Sequence, residues 1–407
     1  MRASDVKRGI DRSLRAEHAA FGLLGPIESV EADDRSRTVV IRLERPDPDL
    51  LYRLALPFAA AVPPEVPKPP GIVPATGPYR IAEHDRQHMR LERNPHFRVW
   101  SPLARPDGYP DVIEAAFGVS AREAVTAIRT GRSDYAWVDR FGENMADVRE
   151  RDPGLLREAS FLQSSWVFLN TRVPPFDRVD ARRAVSLAID RPAAVAAFGG
   201  PYAARETCRI LPPTLAGYRP GCPKRDLREA RRLVRRSGTR GARVTLWNAE
   251  PLFSSLTPVI IDALRAIGYR TRVRDVPMDR YFRLVEKDAN RVQIGPTAWI
   301  ADYPSDASFL TASFSCDAMP SDPARGANYS RFCDRGVDAL LRRAGAAQTS
   351  DPATADELWA RAEQRVLDAA AAVPLFNPIT TEVVSARVRN DQRNPQWGFL
   401  PDQAWVR

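Results

Sequence analysis

The sequence predicts an α/β protein organised around an open, largely parallel sheet. Residues 242–301 alternate strand-like and helix-like patterns in the order β-α-β-α-β, which is typical of parallel strands joined by right-handed crossovers. A second observation is the stretch 166–198, where a period of two changes into two helical patterns. The chain has 407 residues, 44% of them hydrophobic, so it is long enough for two or three packed domains.

The first predicted elements are a helix and a hairpin. Residues 3–15 have helical periodicity, and Ser4 is the predicted N-cap. Strands at 27–30 and 38–43 follow, joined by the acidic turn 33–35.

A proline-rich linker at 63–74 is predicted next. It precedes a hairpin, for which apolar residues alternate at 79–81 and again at 89–91. A helix at 121–131, ended by a glycine, and a strand at 133–138 complete this part of the chain.

The stretch 166–198 combines one strand and two helices. Alternation over 166–171 predicts the strand, and two prolines then end it. Asp177 or Asp180 is the predicted cap of the first helix, because a carboxylate accepts free backbone N–H groups in a first turn. Asp190 is the predicted cap of the second helix.

The remaining elements form the most regular part of the sequence. The predicted helices lie at 225–237, 256–267, 278–287 and 351–372, and the predicted strands at 242–247, 269–276, 293–301 and 373–376. In open α/β sheets, ligands bind beyond the carboxyl ends of the strands. The predicted site therefore comprises the loops 247–250 and 299–304.

The cysteines fall into two local pairs. Cys208 and Cys222 share one loop rich in proline and glycine, and Cys316 and Cys333 share another. Neither pair has zinc-knuckle spacing or a nearby histidine, so two disulfides are predicted, each stabilising the fold by about 2–4 kcal/mol. Such bridges indicate an oxidising compartment. Four free thiols in a cytosolic protein are the alternative.

Composition and missing motifs give no support to several function classes. The formal net charge is +9, but the arginines are scattered along the chain, which favours solvated surfaces over a nucleic-acid partner. The sequence contains no P-loop, dinucleotide-binding, zinc-protease or nucleophile-elbow motif, so neither a cofactor, a metal nor a catalytic residue is predicted. Residues 1–5 lead into a helical pattern without the apolar region of a signal peptide.

Several stretches resemble one family in the same order. They include TGPYRI at 76–81, NPHF at 94–97, FLNTRVPPFDRVDARRAVSLAIDR at 168–191 and WIADYPSDASFL at 299–310. The resemblance is to family 5 of the extracellular solute-binding proteins, the substrate-binding proteins of oligopeptide, dipeptide and nickel ABC transporters. It implies a two-lobed periplasmic-binding-protein-like fold of type II, whose lobes close around a ligand.

The resemblance also implies a domain organisation. Members of the family carry further residues upstream, so the chain is expected to lack its signal peptide and the first part of lobe I. The expected divisions are an incomplete accessory subdomain at 1–72, lobe I at 73–162, lobe II at 163–376 and a return to lobe I at 377–407. Hinge crossings are expected near 162–167 and 376–381.

The resemblance identifies the main candidate for ligand recognition. The family's motif contains an aspartate that pairs with the α-ammonium of a bound peptide, and Asp302 aligns with it. Trp299 and Tyr303 flank this residue, so a carboxylate and two rings are available to hold a cation. Trp247 and Asn248 of the other loop complete the predicted site. The alternative is that Asp302 only caps its turn.

The next acidic residue has a structural role in this interpretation. Asp306 is predicted to be the N-cap of a helix that starts at residue 307.

The sequence therefore predicts a binding protein rather than an enzyme. A monomeric receptor outside the cytoplasm would bind a short peptide or another amine-bearing small molecule and deliver it to a membrane permease. Without a visible signal peptide, a cytoplasmic location stays open. The alternatives are a ligand-sensing domain of a larger regulatory protein and a biosynthetic enzyme built on the same scaffold.

Overall fold

A computed structural model describes residues 1–15, 23–65, 72–138, 145–319, 326–394 and 396–407. The helices are α1 Ala3–Arg15, α2 Leu50–Leu54, α3 Ala121–Arg129, α4 Ala146–Arg151, α5 Val179–Ala188, α6 Arg191–Phe198, α7 Leu227–Arg236, α8 Thr257–Ala266, α9 Met278–Val285, α10 Asp306–Phe314, α11 Arg335–Ala347 and α12 Pro352–Asp368.

The strands complete the list of elements. They are β1 Ile27–Asp33, β2 Thr38–Leu43, β3 Tyr79–His84, β4 His88–Arg93, β5 Val112–Ala116, β6 Tyr135–Val138, β7 Leu156–Ser160, β8 Gln163–Leu169, β9 Ala204–Glu206, β10 Arg243–Glu250, β11 Arg270–Pro277, β12 Ile294–Ile300, β13 Ala372–Val384, β14 Val388–Arg389, β15 Arg393–Asn394, β16 Gly398–Phe399 and β17 Trp405–Val406.

The largest sheet has eight strands, with β11, β10, β12, β8, β13 and β6 in that order, and with β7 and β9 also paired to β13. Strand β10 is parallel to β11 and β12, which confirms the predicted β-α-β-α-β run. Strands β8 and β13 run antiparallel to their neighbours. The sheet is therefore mixed, with the parallel strands at one end.

Strand β8 lies in the middle of this sheet, and all of its residues are buried. Its amino-terminal half is nevertheless polar, because Gln163, Ser164 and Ser165 are at most 4% exposed. The apolar cluster around it is the largest core of the protein and includes residues from Leu162 to Phe376. Strand β8 is therefore covered on both faces, as expected for a central strand.

Strand β13 is much longer than the sequence predicted. Its first part pairs with β8 and β9, and its last part pairs with β7 and β6. The prediction ended this strand at residue 376 and was wrong, because the strand continues by exchanging its pairing partners. Phe161 and Leu162 make the second crossing, between β7 and β8. The division into four domains stays a prediction.

The amino-terminal elements form a small unit with its own core. Strands β1 and β2 are antiparallel, as predicted, and Ile10 and Leu24 are each 1% exposed within that core. A separate three-stranded sheet contains β3, β4 and β5, so the hairpin predicted around 79–91 is also confirmed. Residues 66–71 of the predicted linker lie outside the described residues.

The N-caps predicted for α1 and α5 are wrong. Ser4 lies inside α1, where its backbone N–H and hydroxyl both donate to Asp34 at 2.8 Å. Arg178 occupies the N-cap position of α5, whose first N–H groups receive no side-chain cap. Asp180 pairs with Arg236 of α7 at 2.6 Å instead. Asp180 therefore pairs with a distant arginine instead of accepting the backbone N–H groups of its own helix.

Two further caps were predicted, Asp190 for α6 and Asp306 for α10. Asp190 accepts a hydrogen bond from the backbone N–H of Ala193 at 3.0 Å, which confirms its predicted role. Asp306 was predicted to cap α10, but Ser305 occupies the N-cap position and accepts from Ala307. Asp306 accepts from the backbone N–H of Gly217 instead, at 3.1 Å.

Both predicted disulfides are present. Cys208 is paired with Cys222 and Cys316 with Cys333, which leaves none of the four cysteines free. The second bridge connects the end of α10 with the start of α11. Across the described parts of the chain, no helix combines the length and the apolar character that crossing a membrane requires.

Glu363 on α12 is a fully buried carboxylate, 0% exposed, and accepts the backbone N–H groups of Ile210 and Leu211 at 2.7 and 2.9 Å. Burial raises its pKa to about 7. A raised pKa means that the folded state binds this proton more tightly than the unfolded chain, so the associated stability is lost as the pH rises through about 7.

We therefore expect the free energy of unfolding to rise by about 2 kcal/mol between pH 8 and pH 5 on account of Glu363. Urea denaturation at each pH measures this change. Glu363→Gln keeps an acceptor oxygen and removes the titration, so its pH dependence should be shallower by that amount. Equal pH slopes for the variant and the natural protein would contradict the assignment.

Candidate ligand-binding cavity

A cavity of about 1560 Å³ lies between the amino-terminal unit and the region around α10 and α11. Residues of 23–58 line one side of it, and residues of 286–349 line the other. Pockets for small ligands usually measure roughly 300–1,000 Å³. This cavity therefore has room for a ligand larger than a single amino acid.

Asp302 lines the cavity just beyond the end of β12, where the rule for open α/β sheets predicts a ligand. Its backbone N–H donates to the Ser308 hydroxyl at 2.9 Å. Among the described residues, none donates a hydrogen bond to its carboxylate. Burial raises the pKa of that carboxyl to about 6, against the opposing charge of Arg53. The geometry gives no support to the alternative of a turn cap, since no backbone N–H of the described residues donates to this carboxylate.

Trp299 and Tyr303 also line the cavity, on either side of Asp302. The indole N–H of Trp299 donates to the carbonyl of Ser308 at 2.6 Å, which fixes the ring. Tyr303 is 5% exposed and stacks on Tyr52 of α2 at 6.2 Å between ring centroids. Three of the predicted site residues therefore line the same cavity.

Trp247 and Asn248 do not line the cavity. The loop predicted at 247–250 is part of β10, because β10 stays paired with β11 as far as Glu250. Trp247 is 3% exposed and packs beneath the guanidinium of Arg274, 4.0 Å from the ring centroid. Asn248 donates to Asp275 at 2.9 Å. Their role as ligand contacts stays a prediction, and their positions give it no support.

Asp49, at the start of α2, is a site residue that the sequence did not indicate. It is 1% exposed and accepts from the Ser305 hydroxyl at 3.1 Å and from the Gln348 amide at 2.7 Å. These partners are 256 and 299 residues away in the chain. No local pattern could predict them. Asp49 therefore joins the amino-terminal unit to α10 and α11 across the cavity.

Arg53 of α2 lies on the same wall of the cavity. It forms an ion pair with Asp47 at 2.7 Å, and its guanidinium lies 4.9 Å from the centre of the Tyr303 ring. The amino-terminal unit thus contributes both an aromatic and a charged contact to the residues around Asp302.

The charges that line the cavity are mainly negative. The acidic residues are Glu44, Asp47, Asp49, Glu286, Asp302, Asp317 and Asp338, whereas the basic ones are Arg45, Arg53 and Arg342. A concave site lined by an excess of one sign attracts ligands of the opposite sign. The cavity is therefore suited to a ligand that carries a cationic group.

Comparison with known proteins connects this chain to a family. Residues 1–321 match the model for the bacterial extracellular solute-binding proteins, family 5. The probable di/tripeptide-binding protein 5 of Pseudomonas aeruginosa (strain UCBPP-PA14) is 25% identical over 381 residues, covering 88% of this chain and 68% of that protein. The glutathione-binding protein GsiB of Escherichia coli (strain K12) is 26% identical over 407 residues, covering 95% and 76%.

Solved structures share the fold along the whole chain. The clavulanic acid biosynthesis oligopeptide binding protein 2 is similar with a TM-score of 0.86 and 23% identity, covering 100% of this chain and 80% of that one. The periplasmic binding protein DppA of Helicobacter pylori, in complex with the peptide STSA, has a TM-score of 0.78 and 20% identity, covering 100% and 81%.

These matches confirm the two-lobed, periplasmic-binding-protein-like α/β fold that the sequence motifs predicted. The chain belongs to family 5 of the bacterial extracellular solute-binding proteins.

Proposed function

We propose that this protein binds a short peptide in the cavity and delivers it to the permease of an ABC transporter. The observation that carries the proposal is the half-buried Asp302 carboxylate, which lines the cavity between Trp299 and Tyr303. Relatives of the chain are named for binding di- and tripeptides and glutathione. Two structures with the same fold contain the peptides STSA and Met-Leu.

The α-ammonium of the peptide pairs with Asp302 in this proposal. A carboxylate that burial has deprived of water gains more from a cationic partner than an exposed one does. The rings of Trp299 and Tyr303 enclose the ammonium and exclude water from the pair. Binding requires no covalent step, since the described residues that line the cavity supply contacts and charge.

Closure of the lobes would retain the ligand. The two crossings are the bend at Phe161–Leu162 and the segment within β13 where its pairing partners change, and both connect the two parts of the large sheet. Small changes in φ and ψ at such segments can rotate one lobe relative to the other. The amino-terminal unit, which faces α10 and α11 across the cavity, would then contact the ligand from the other side.

The proposed location is outside the cytoplasm, in agreement with the family and with the two disulfides. The proposed partner is a membrane permease, and the receptor is expected to act as a monomer. Relatives are named as binding proteins, although one structural neighbour carries the name of a biosynthesis. The alternative roles are those of a ligand sensor and of an enzyme built on the same scaffold.

Isothermal titration calorimetry with di-, tri- and tetrapeptides tests the proposal. We expect saturable binding of peptides with a free amino terminus, and affinity at least tenfold lower for the same peptides after N-acetylation. The absence of binding for every unmodified peptide would overturn the proposed function. Equal affinity for acetylated and unmodified peptides would overturn the role of Asp302.

A further inference from the structure

The cavity extends well beyond Asp302. Ala307, Ser308, Thr311, Ala312 and Ser315 all line it, so one face along α10 forms its wall. A helix rises 1.5 Å per residue, which makes this wall about 12 Å long. An extended peptide advances about 3.3 Å per residue, so roughly three to four ligand residues fit beside the helix.

Glu286 is a second half-buried carboxylate in the cavity, at the end of α9. In the part of the chain that the structure describes, its carboxylate has neither an ion-pair partner nor a hydrogen-bond donor. The neighbouring cation, Arg331, is occupied elsewhere, because it pairs with Asp288 at 2.9 Å and donates to the backbone carbonyl of Glu286. Burial raises the pKa of Glu286 to about 7, and Arg331 only partly opposes this.

Tyr329 supplies a ring close to this carboxylate. It lines the cavity, and its pKa is raised by burial and also by the nearby charge of Glu286. Its ring stacks on Phe282 at 5.4 Å between centroids, which fixes its orientation. A ring beside a carboxylate matches a lysine or arginine side chain, whose apolar stem packs on the ring while the charged end reaches the acid.

The other acids of the cavity are less available. Asp47 is paired with Arg53, and Asp49 accepts two hydrogen bonds from side chains. Asp338 is 6% exposed and accepts the backbone N–H of Cys316 at 3.0 Å. Asp302 is assigned to the α-ammonium. Glu286 is therefore the remaining half-buried acid that a second cation could neutralise, whereas Glu44 and Asp317 are exposed.

We propose that Glu286 forms a second cation subsite in this cavity, so that the protein prefers peptides with a lysine or arginine side chain near their amino terminus. This inference rests on the proposed function, since it assumes that Asp302 holds the amino terminus. A partly desolvated charge pair of this kind changes affinity by about tenfold or more.

Calorimetry with matched tripeptides tests the subsite. Each pair contains either lysine or norleucine at position two or at position three, with alanine elsewhere, because norleucine keeps the apolar stem and lacks the charge. We expect the natural protein to bind the lysine peptide about tenfold more tightly in at least one position. Glu286→Gln should abolish that preference while leaving the affinity for the norleucine peptide unchanged within about twofold.

Asp317→Asn is the matched control, because Asp317 also lines the cavity but is exposed. This variant should keep the preference for lysine. If both variants lose the preference for lysine equally, the preference comes from the general negative charge of the cavity, and the assignment to Glu286 is overturned. If the natural protein binds lysine and norleucine peptides equally, the subsite is wrong and the proposed function stands. If it binds neither, the proposed function itself fails.

Discussion

Replacing Asp302 by alanine is expected to weaken the binding of unmodified peptides by about 100-fold. A charge-assisted hydrogen bond inside a water-depleted site contributes about 1.5–3 kcal/mol, and each 1.4 kcal/mol changes an affinity tenfold. The Asp302 carboxylate can form such a bond, because it is half-buried and no described residue donates a hydrogen bond to it. Calorimetry with a peptide that the natural protein binds measures the loss.

N-acetylated peptides give this prediction its strictest control. They lack the ammonium, so we expect Asp302→Ala to change their affinity by less than about threefold. The substitution Asp302→Ala and the acetylation of the peptide remove the same ion pair, so their effects on affinity should not add. A further 100-fold loss for the acetylated peptide would show that the variant had damaged the site in some other way. Asp302→Asn, which keeps the shape, should lose nearly as much affinity as Asp302→Ala.

Stability provides an independent check on the same variants. Burial raises the pKa of Asp302 to about 6, so the ionised group destabilises the unliganded fold at neutral pH, and this destabilisation disappears as the pH falls below about 6. Asp302→Asn should therefore unfold at an equal or higher temperature than the natural protein at pH 7.5. A lower affinity together with a lower melting temperature would indicate a structural role instead.

Removing the Cys316–Cys333 disulfide by a double serine substitution is expected to lower both stability and affinity. A bridge that closes a loop of this length stabilises a fold by about 3 kcal/mol. The loop between these cysteines carries Ala318, Ala327 and Tyr329, which line the cavity. We therefore expect peptide affinity to fall by about tenfold, because the wall has to be ordered when the ligand binds.

The Cys208–Cys222 disulfide is the matched control. Its cysteines are 14 residues apart in the chain, compared with 17 for the other pair, so the two bridges should stabilise the fold to a similar extent. Neither Cys208 nor Cys222 lines the cavity. Its double serine variant should lose stability, measured by urea denaturation, and retain its affinity. Equal affinities for the two double variants would refute the effect of the cavity wall.

Asn328 limits how far the unbridged loop can relax. It is 0% exposed, and its amide donates to the carbonyls of Ser315 and Phe332 at 3.0 and 2.7 Å. These bonds connect the residues next to both cysteines. The loop is therefore expected to keep part of its shape without the disulfide, which is why a tenfold loss of affinity is expected rather than the abolition of binding.

The sequence by itself determined the features that depend on neighbouring residues. Periodicity located β10, β11 and β12 with the helices between them, because amphipathic patterns follow the geometry of each element. Local spacing likewise predicted both disulfides. A motif of twelve residues brought Asp302, Trp299 and Tyr303 together as candidates, and all three line the cavity because they are close in the chain.

Only the tertiary structure decided the features that depend on distant partners. Asp49 and Glu286 line the same cavity as Asp302 because separate segments meet there, and neither is surrounded by a distinctive sequence. Trp247 was predicted in a loop, but it lies within β10, which is paired with β11 at that position. The acid predicted to cap α5 instead pairs with an arginine 56 residues away. Sequence patterns reflect the conformational preferences of neighbouring residues. Burial and charge pairing depend instead on which remote segments pack together.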